Sequence, residues 1–218
     1  MPPHSGCRAV GALVILLAPV CLAQHYNFQL YGQADGLNNL VPLAVVQDST
    51  GFLWIGTQNG LFRYDGSHFE AFHMAQGLPA NRVDSLYQSS DGAMYAATAE
   101  GVARYVAGKF ESVRFGGAAL TTSHRQGIAT VGGSVYIATD HGLAEQQRGL
   151  LTDAWSKDVH SIYTDPDGKV WAGCGDRLCS FQSDRLVPVA GELPRLPWRS
   201  IRADRKGNLW LLSERSKK

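Results

Sequence analysis

Gln47-Asp48-Ser49-Thr50-Gly51-Phe52-Leu53-Trp54-Ile55-Gly56-Thr57-Gln58-Asn59-Gly60-Leu61-Phe62-Arg63-Tyr64 reads as two turns around two strands. An aspartate three residues before Gly51 suits the ends of a type I turn. Asn59-Gly60 between apolar runs supplies the positive-φ positions of a tight hairpin. The same register returns along the chain. Turn glycines stand at Gly51, Gly92, Gly133, Gly168 and Gly207, and three places on stand Trp54, Tyr95, Tyr136, Trp171 and Trp210. A recurrence of about forty residues is that of propeller blades. A large aromatic repeated in one column packs between stacked sheets while its polar tip finds a partner.

The hairpin turn recurs as Thr57-Gln58-Asn59-Gly60-Leu61, Thr98-Ala99-Glu100-Gly101-Val102 and Thr139-Asp140-His141-Gly142-Leu143. Two turns per unit imply three strands, and runs such as His68–Phe72 and Lys109–Val113 supply a fourth. The predicted fold is therefore an all-β, incomplete β-propeller of four-stranded antiparallel blades, with about four blades and part of a fifth. The blade cores are placed near residues 43–72, 84–113, 125–152, 160–189 and 199–212.

The N-terminus differs in kind. From Val10 to Leu22 the chain is apolar apart from Gly11 and Pro19, with Arg8 before it and Cys21-Leu22-Ala23 at its end. This reads as a signal peptide over residues 1–23, cleaved before Gln24, with a buried core helix as the alternative. The partial propeller then occupies residues 24–218, and the protein is expected in the periplasm or outside the cell. Cys7 and Cys21 leave with the leader, so the mature chain keeps Cys174 and Cys179, on strands flanking a hairpin turn. In an oxidising compartment a disulfide fits this pair. Two buried thiols fit it too, whereas half of a metal site would need a second pair or a nearby histidine.

The 218 residues are 44% apolar and 18% charged with a formal net charge of +1, which argues against a nucleic-acid surface. No phosphate-cradling Gly-x4-Gly-Lys run, His-Glu-x2-His pair or Gly-x-Ser-x-Gly elbow occurs. Asp165-Pro166-Asp167-Gly168 opens like a calcium loop, but no glutamate closes it, and a proline turn accounts for it. No catalytic group, metal or cofactor is expected.

Equivalent residues of a propeller lie around one axis, so an alignment column becomes a ring. Eight residues before the turn glycines stand Leu43, Asp84, Arg125, His160 and Arg199. Asp84, Arg125, His160 and Arg199 around a channel mouth would suit a polar or anionic ligand, because arginine offers a planar fork to a carboxylate. The alternative is that they solvate loops at the strand starts. Tyr163 and Trp198 are candidates either to stack on a sugar ring or to fill the core.

Asp35-Gly36-Leu37, the stretch from Gln47 to Thr57, Gly60-Leu61-Phe62-Arg63-Tyr64-Asp65-Gly66 and Gly77-Leu78-Pro79 together resemble the two-component regulator propeller family, the extracytoplasmic sensor region of many bacterial hybrid histidine kinases. The resemblance runs from about Tyr31 to Leu212. It departs where Tyr95 and Tyr136 replace tryptophan, where Gly132-Gly133 replaces the aspartate-led turn, and at Arg177, where the second turn glycine is expected. It implies a non-catalytic sensor for a small molecule or oligosaccharide. It also implies further blades and a membrane-linked output module, expected to lie outside these 218 residues.

Overall fold

A computed structural model describes residues 28–122, 124–152 and 154–213. The described residues from Tyr31 onward form one compact unit, and the leader read over 1–23 lies outside the described residues. No described helix is long and apolar enough to cross a membrane.

The larger unit is a β-propeller. Blade 1 comprises β1 (Pro42–Gln47), β2 (Leu53–Thr57), β3 (Gly60–Tyr64) and β4 (Phe69–Phe72). Blade 2 comprises β5 (Val83–Gln88), β6 (Met94–Thr98), β7 (Gly101–Val106) and β8 (Lys109–Ser112), followed by a small hairpin of β9 (Arg114–Phe115) and β10 (Ala118–Ala119) that the repeat does not announce. Blade 3 is β11 (Ile128–Val131), β12 (Ser134–Thr139), β13 (Gly142–Glu145) and β14 (Gly149–Leu150). Blade 4 is β15 (Val159–Thr164), β16 (Val170–Cys174), β17 (Arg177–Gln182) and β18 (Arg185–Pro188). Blade 5 contributes β19 (Trp198–Ala203) and β20 (Leu209–Ser213). Each complete blade is an antiparallel meander in sequence order.

The turn register explains the sheets. Gly51, Gly92, Gly168 and Gly207 each donate their N–H to the carbonyl three residues back. All five turn glycines lie at φ between 80° and 97°, where any side chain is strained. At the next turn the Thr57, Thr98 and Thr139 hydroxyls donate to the carbonyls of Gly60, Gly101 and Gly142. Cys174 holds the equivalent position in blade 4, and the structure joins it to Cys179 with a Cα–Cα distance of 6.1 Å. Both sulfurs sit in the buried core between blades 3 and 4.

Each blade interface has its own core. Trp54, Leu61, Phe72, Val83 and Phe110 fill the space between blades 1 and 2, and Tyr95, Val102, Ile128 and Ile137 that between blades 2 and 3. Tyr136, Leu143, Val159, Ile162 and Leu186 serve blades 3 and 4, and Leu178, Trp171, Trp198 and Ile201 serve blades 4 and 5. The middle strands β6 and β12 are therefore covered on both faces, and they read as continuous small and apolar runs rather than as an alternation. Trp210 occupies the same column on β20 and is 67% exposed.

Candidate functional site in the central cavity

The first strands β1, β5, β11, β15 and β19 line the axis, and a bulge at the start of four of them shapes what faces it. In β1 Pro42 pairs with Thr57 and Ala44 with Gly56, leaving Leu43 as the extra residue. The same slip leaves out Asp84 in β5, His160 in β15 and Arg199 in β19. Arg125 holds the equivalent place just ahead of β11. A bulge re-aims its side chain and resets the alternation that follows. Three positions further on, Val46, Tyr87, Ile128, Tyr163 and Arg202 form the column that borders a central cavity of about 660 Å³.

The four polar residues of the earlier column are placed as follows. Arg125 borders the cavity. Asp84 is paired with Arg82 at 2.8 Å, and His160 Nε2 lies 3.5 Å from Asp158 Oδ1. The His160 ring is 6.2 Å from that of His124. Burial pushes the His124 imidazole below its ordinary pKa; nearby Asp140 opposes this, and the charges of His160 and Arg199 add to it. Asp84, His160 and Arg199 are not among the cavity-lining residues. Trp198, at 6% exposure, belongs to the core between blades 4 and 5, whereas Tyr163 borders the cavity.

The cavity wall is built by contacts between blades. Tyr87 accepts a hydrogen bond from the Thr130 N–H at 3.1 Å, and Tyr163 accepts one from the Ala203 N–H at 3.2 Å. Each tyrosine is thus fixed by the following blade. Ser85 and Ser161 donate to the carbonyls of Arg125 and Trp198, each at 2.7 Å. Gln126 reaches two blades away: its Nε2 donates to the Ile201 carbonyl and its Oε1 accepts from the Ile201 N–H, both at 2.8 Å. Its own carbonyl accepts from Ile162 N–H at 2.8 Å, so one residue joins blades 3, 4 and 5.

The cavity is cationic. Arg125 and Arg202 border it and no aspartate or glutamate does. Arg202 lies 5.7 Å over the Tyr163 ring and, among the described residues, donates only to the neighbouring Ile201 carbonyl, at 3.4 Å. The sequence singles out Tyr163, as a residue to stack on a ring or fill the core, but not Tyr87 or Arg202, because the column they share has no common chemistry. Among the described residues no group of histidine, cysteine, aspartate and glutamate is arranged to hold a metal ion.

Comparison with known proteins agrees with this architecture. Residues 35–59 and 155–176 match the profile described as two component regulator propeller. The chain is similar to the extracellular domain assigned to a hybrid two component system of B. thetaiotaomicron, at 23% identity and a TM-score of 0.60 over 82% of this chain and 26% of that one. A second such domain from the same organism matches at 20% identity and a TM-score of 0.52, over 85% of this chain and 34% of that one. Virginiamycin B lyase from Staphylococcus aureus matches at 15% identity and a TM-score of 0.58, over 79% of this chain and 63% of that one. No curated protein matches the chain. These identities show a shared fold, and the chain spans 26% and 34% of the length of the two B. thetaiotaomicron structures. The units around Trp54 and Trp171 match the two component regulator propeller repeat, and the chain folds as a β-propeller of such units.

Proposed function

We propose that this chain is the ligand-sensing part of an extracytoplasmic receptor, binding a small molecule in the central cavity and acting through membrane-linked segments beyond these 218 residues. The observation that carries the reading is the cavity itself. Five equivalent inner-strand residues converge on a space of about 660 Å³, within the range that holds small ligands. The repeat matches in blades 1 and 4 support a sensor role, and the leader read over residues 1–23 supports export. The reading assigns no chemistry to the chain.

The test is a thermal-shift screen of the full chain against mono- and oligosaccharides, amino acids and small organic acids, followed by calorimetry on any hit. A saturable ligand whose binding is lost when Tyr163→Ala opens the cavity wall supports the sensor. A second reading, a scaffold for protein partners, draws on the exposed Trp210 and Leu212 on β20. A stable protein partner with no small ligand would favour it.

A further inference from the structure

We infer that the cavity selects a carboxylate-bearing ring compound, its carboxylate held between Arg125 and Arg202 and its ring laid against Tyr87 and Tyr163. The inference rests on the ligand-binding reading above and narrows it to one chemical class.

Most polar groups facing the cavity have little bonding capacity left to offer a ligand. Both tyrosine hydroxyls are engaged by backbone N–H groups of the next blade, so their rings are held fixed and present mainly aromatic surface. Gln88 is committed across the blade boundary to Ser49, and Thr164 donates to the Thr130 carbonyl. The Gln126 amide is consumed by the Ile201 peptide. What remains is cationic. Arg125 makes no ion pair among the described residues, and Arg202 has only a long bond to a neutral carbonyl. Two guanidinium groups bordering one cavity repel each other through a partly water-excluding space, and an anion between them reverses the sign of that interaction.

Carboxylate geometry suits this arrangement. Each arginine presents parallel N–H donors that match two carboxylate oxygens. Tyr87 and the part of Tyr163 that Arg202 does not cover favour a ring, either a sugar ring offering C–H groups to the aromatic surface or an aromatic ring stacking on it. A sugar acid and an aromatic acid share this chemistry, and the experiment separates them.

The full chain is titrated with D-glucuronate, benzoate, D-glucose and inorganic sulfate by ligand-observed NMR and calorimetry, beside Arg125→Ala, Arg202→Ala and Arg202→Lys. Both arginines are exposed, so these variants are expected to fold, which circular dichroism checks. Saturable binding of glucuronate or benzoate is expected, at least about tenfold weaker in either alanine variant, with Arg202→Lys intermediate because the charge stays and the fork goes. Binding is also expected to weaken as salt rises. Glucuronate without benzoate identifies a sugar acid, and the converse an aromatic acid. The inference is overturned if glucose binds as well as glucuronate, if sulfate matches both acids, if the alanine variants bind unchanged, or if neither acid binds. A neutral hit in the wider screen alongside any of these leaves the sensor reading standing, whereas silence across the whole screen removes both.

Discussion

Asp48 does the work of several residues in its turn. Its Oδ1 accepts from the Thr50 and Phe52 N–H groups at 2.9 and 3.0 Å, and its Oδ2 accepts from the Trp54 indole at 2.7 Å. Asp165 repeats the indole bond to Trp171 at 2.8 Å, and Asp204 repeats it to Trp210 at 3.3 Å. An indole N–H can only donate, so a buried tryptophan in this column needs an acceptor, and the turn aspartate six residues earlier is it. Where the turn lacks that aspartate the aromatic is a tyrosine, as in Ser89 with Tyr95, and Tyr136 instead meets Arg148, itself paired with buried Glu145. We expect Asp48→Ala to lower unfolding stability by about 2 kcal/mol, and Asp48→Asn by less because one acceptor remains, measured by urea denaturation. Burial pushes the Asp48 carboxyl up, but hydrogen bonds from Thr50, Trp54 and Phe52 outweigh it and leave the pKa below its ordinary value. A depressed carboxylate stabilises the fold above the unfolded value near about 4, and that contribution is lost as pH falls through the folded value. The stability gap between wild type and Asp48→Ala should therefore be full at neutral pH and shrink below about pH 4, which the same denaturation series in acid measures. The glycine and aromatic columns were legible because each repeat spends the same residue type on them. The aspartate–tryptophan bond was not read from the sequence, although a six-residue spacing confined to the copies with tryptophan marks it.

At the scale of the element, the hairpin of β16 and β17 shows how one blade departs from the others and keeps its shape. Threonine closes this turn in blades 1 to 3 by bonding the glycine carbonyl, whereas blade 4 has Cys174 there and Arg177 in place of the glycine. The Cys174 Sγ lies 3.7 Å from the Arg177 carbonyl, a poor substitute for a hydroxyl, and the covalent link to Cys179 closes the hairpin instead. Closing so short a loop restricts the unfolded chain by about 2 kcal/mol. We expect Cys174→Thr with Cys179→Ala to lose less stability than Cys174→Ala with Cys179→Ala, because the threonine restores the bond used elsewhere. Non-reducing mass spectrometry of the wild type should show the two-hydrogen deficit of one disulfide, and reductant should lower its melting temperature but leave the double variants unchanged. The cavity column was the part that sequence did not disclose. Counting by twos from Asp84 or His160 runs through a bulge, so the side chains that share a face with those residues on paper do not share it in the strand.

Across the whole molecule, stability is distributed over separate blade interfaces, and Gln126 is a bond that bridges more than one of them. Gln126→Ala leaves the Ile201 N–H without its partner and the Ile201 carbonyl with only the 3.4 Å bond from Arg202. Expected are a loss of about 1–3 kcal/mol and faster hydrogen exchange over β19 than over β1, read by mass spectrometry. The two outer faces behave differently from the interfaces. Val45 on β1 and Trp210 and Leu212 on β20 are each more than 60% exposed, on sheets whose equivalents elsewhere are covered. Apolar sheet faces of this kind associate. Sedimentation velocity should show concentration-dependent self-association, reduced by Leu212→Lys with Trp210→Lys. The bulges have a consequence of another sort. Around the axis, Leu43, Asp84, His160 and Arg199 have no chemistry in common, while the next residue in each strand stays small, as Ala44, Ser85, Ser161 and Ser200. A residue looped out of the ladder has no cross-strand position opposite it, so exchanging it leaves the strand pairing intact. The propeller thus offers a ring of interchangeable addresses, where a combinatorial library could be written in and selected for new specificities while the remainder of each strand is left untouched.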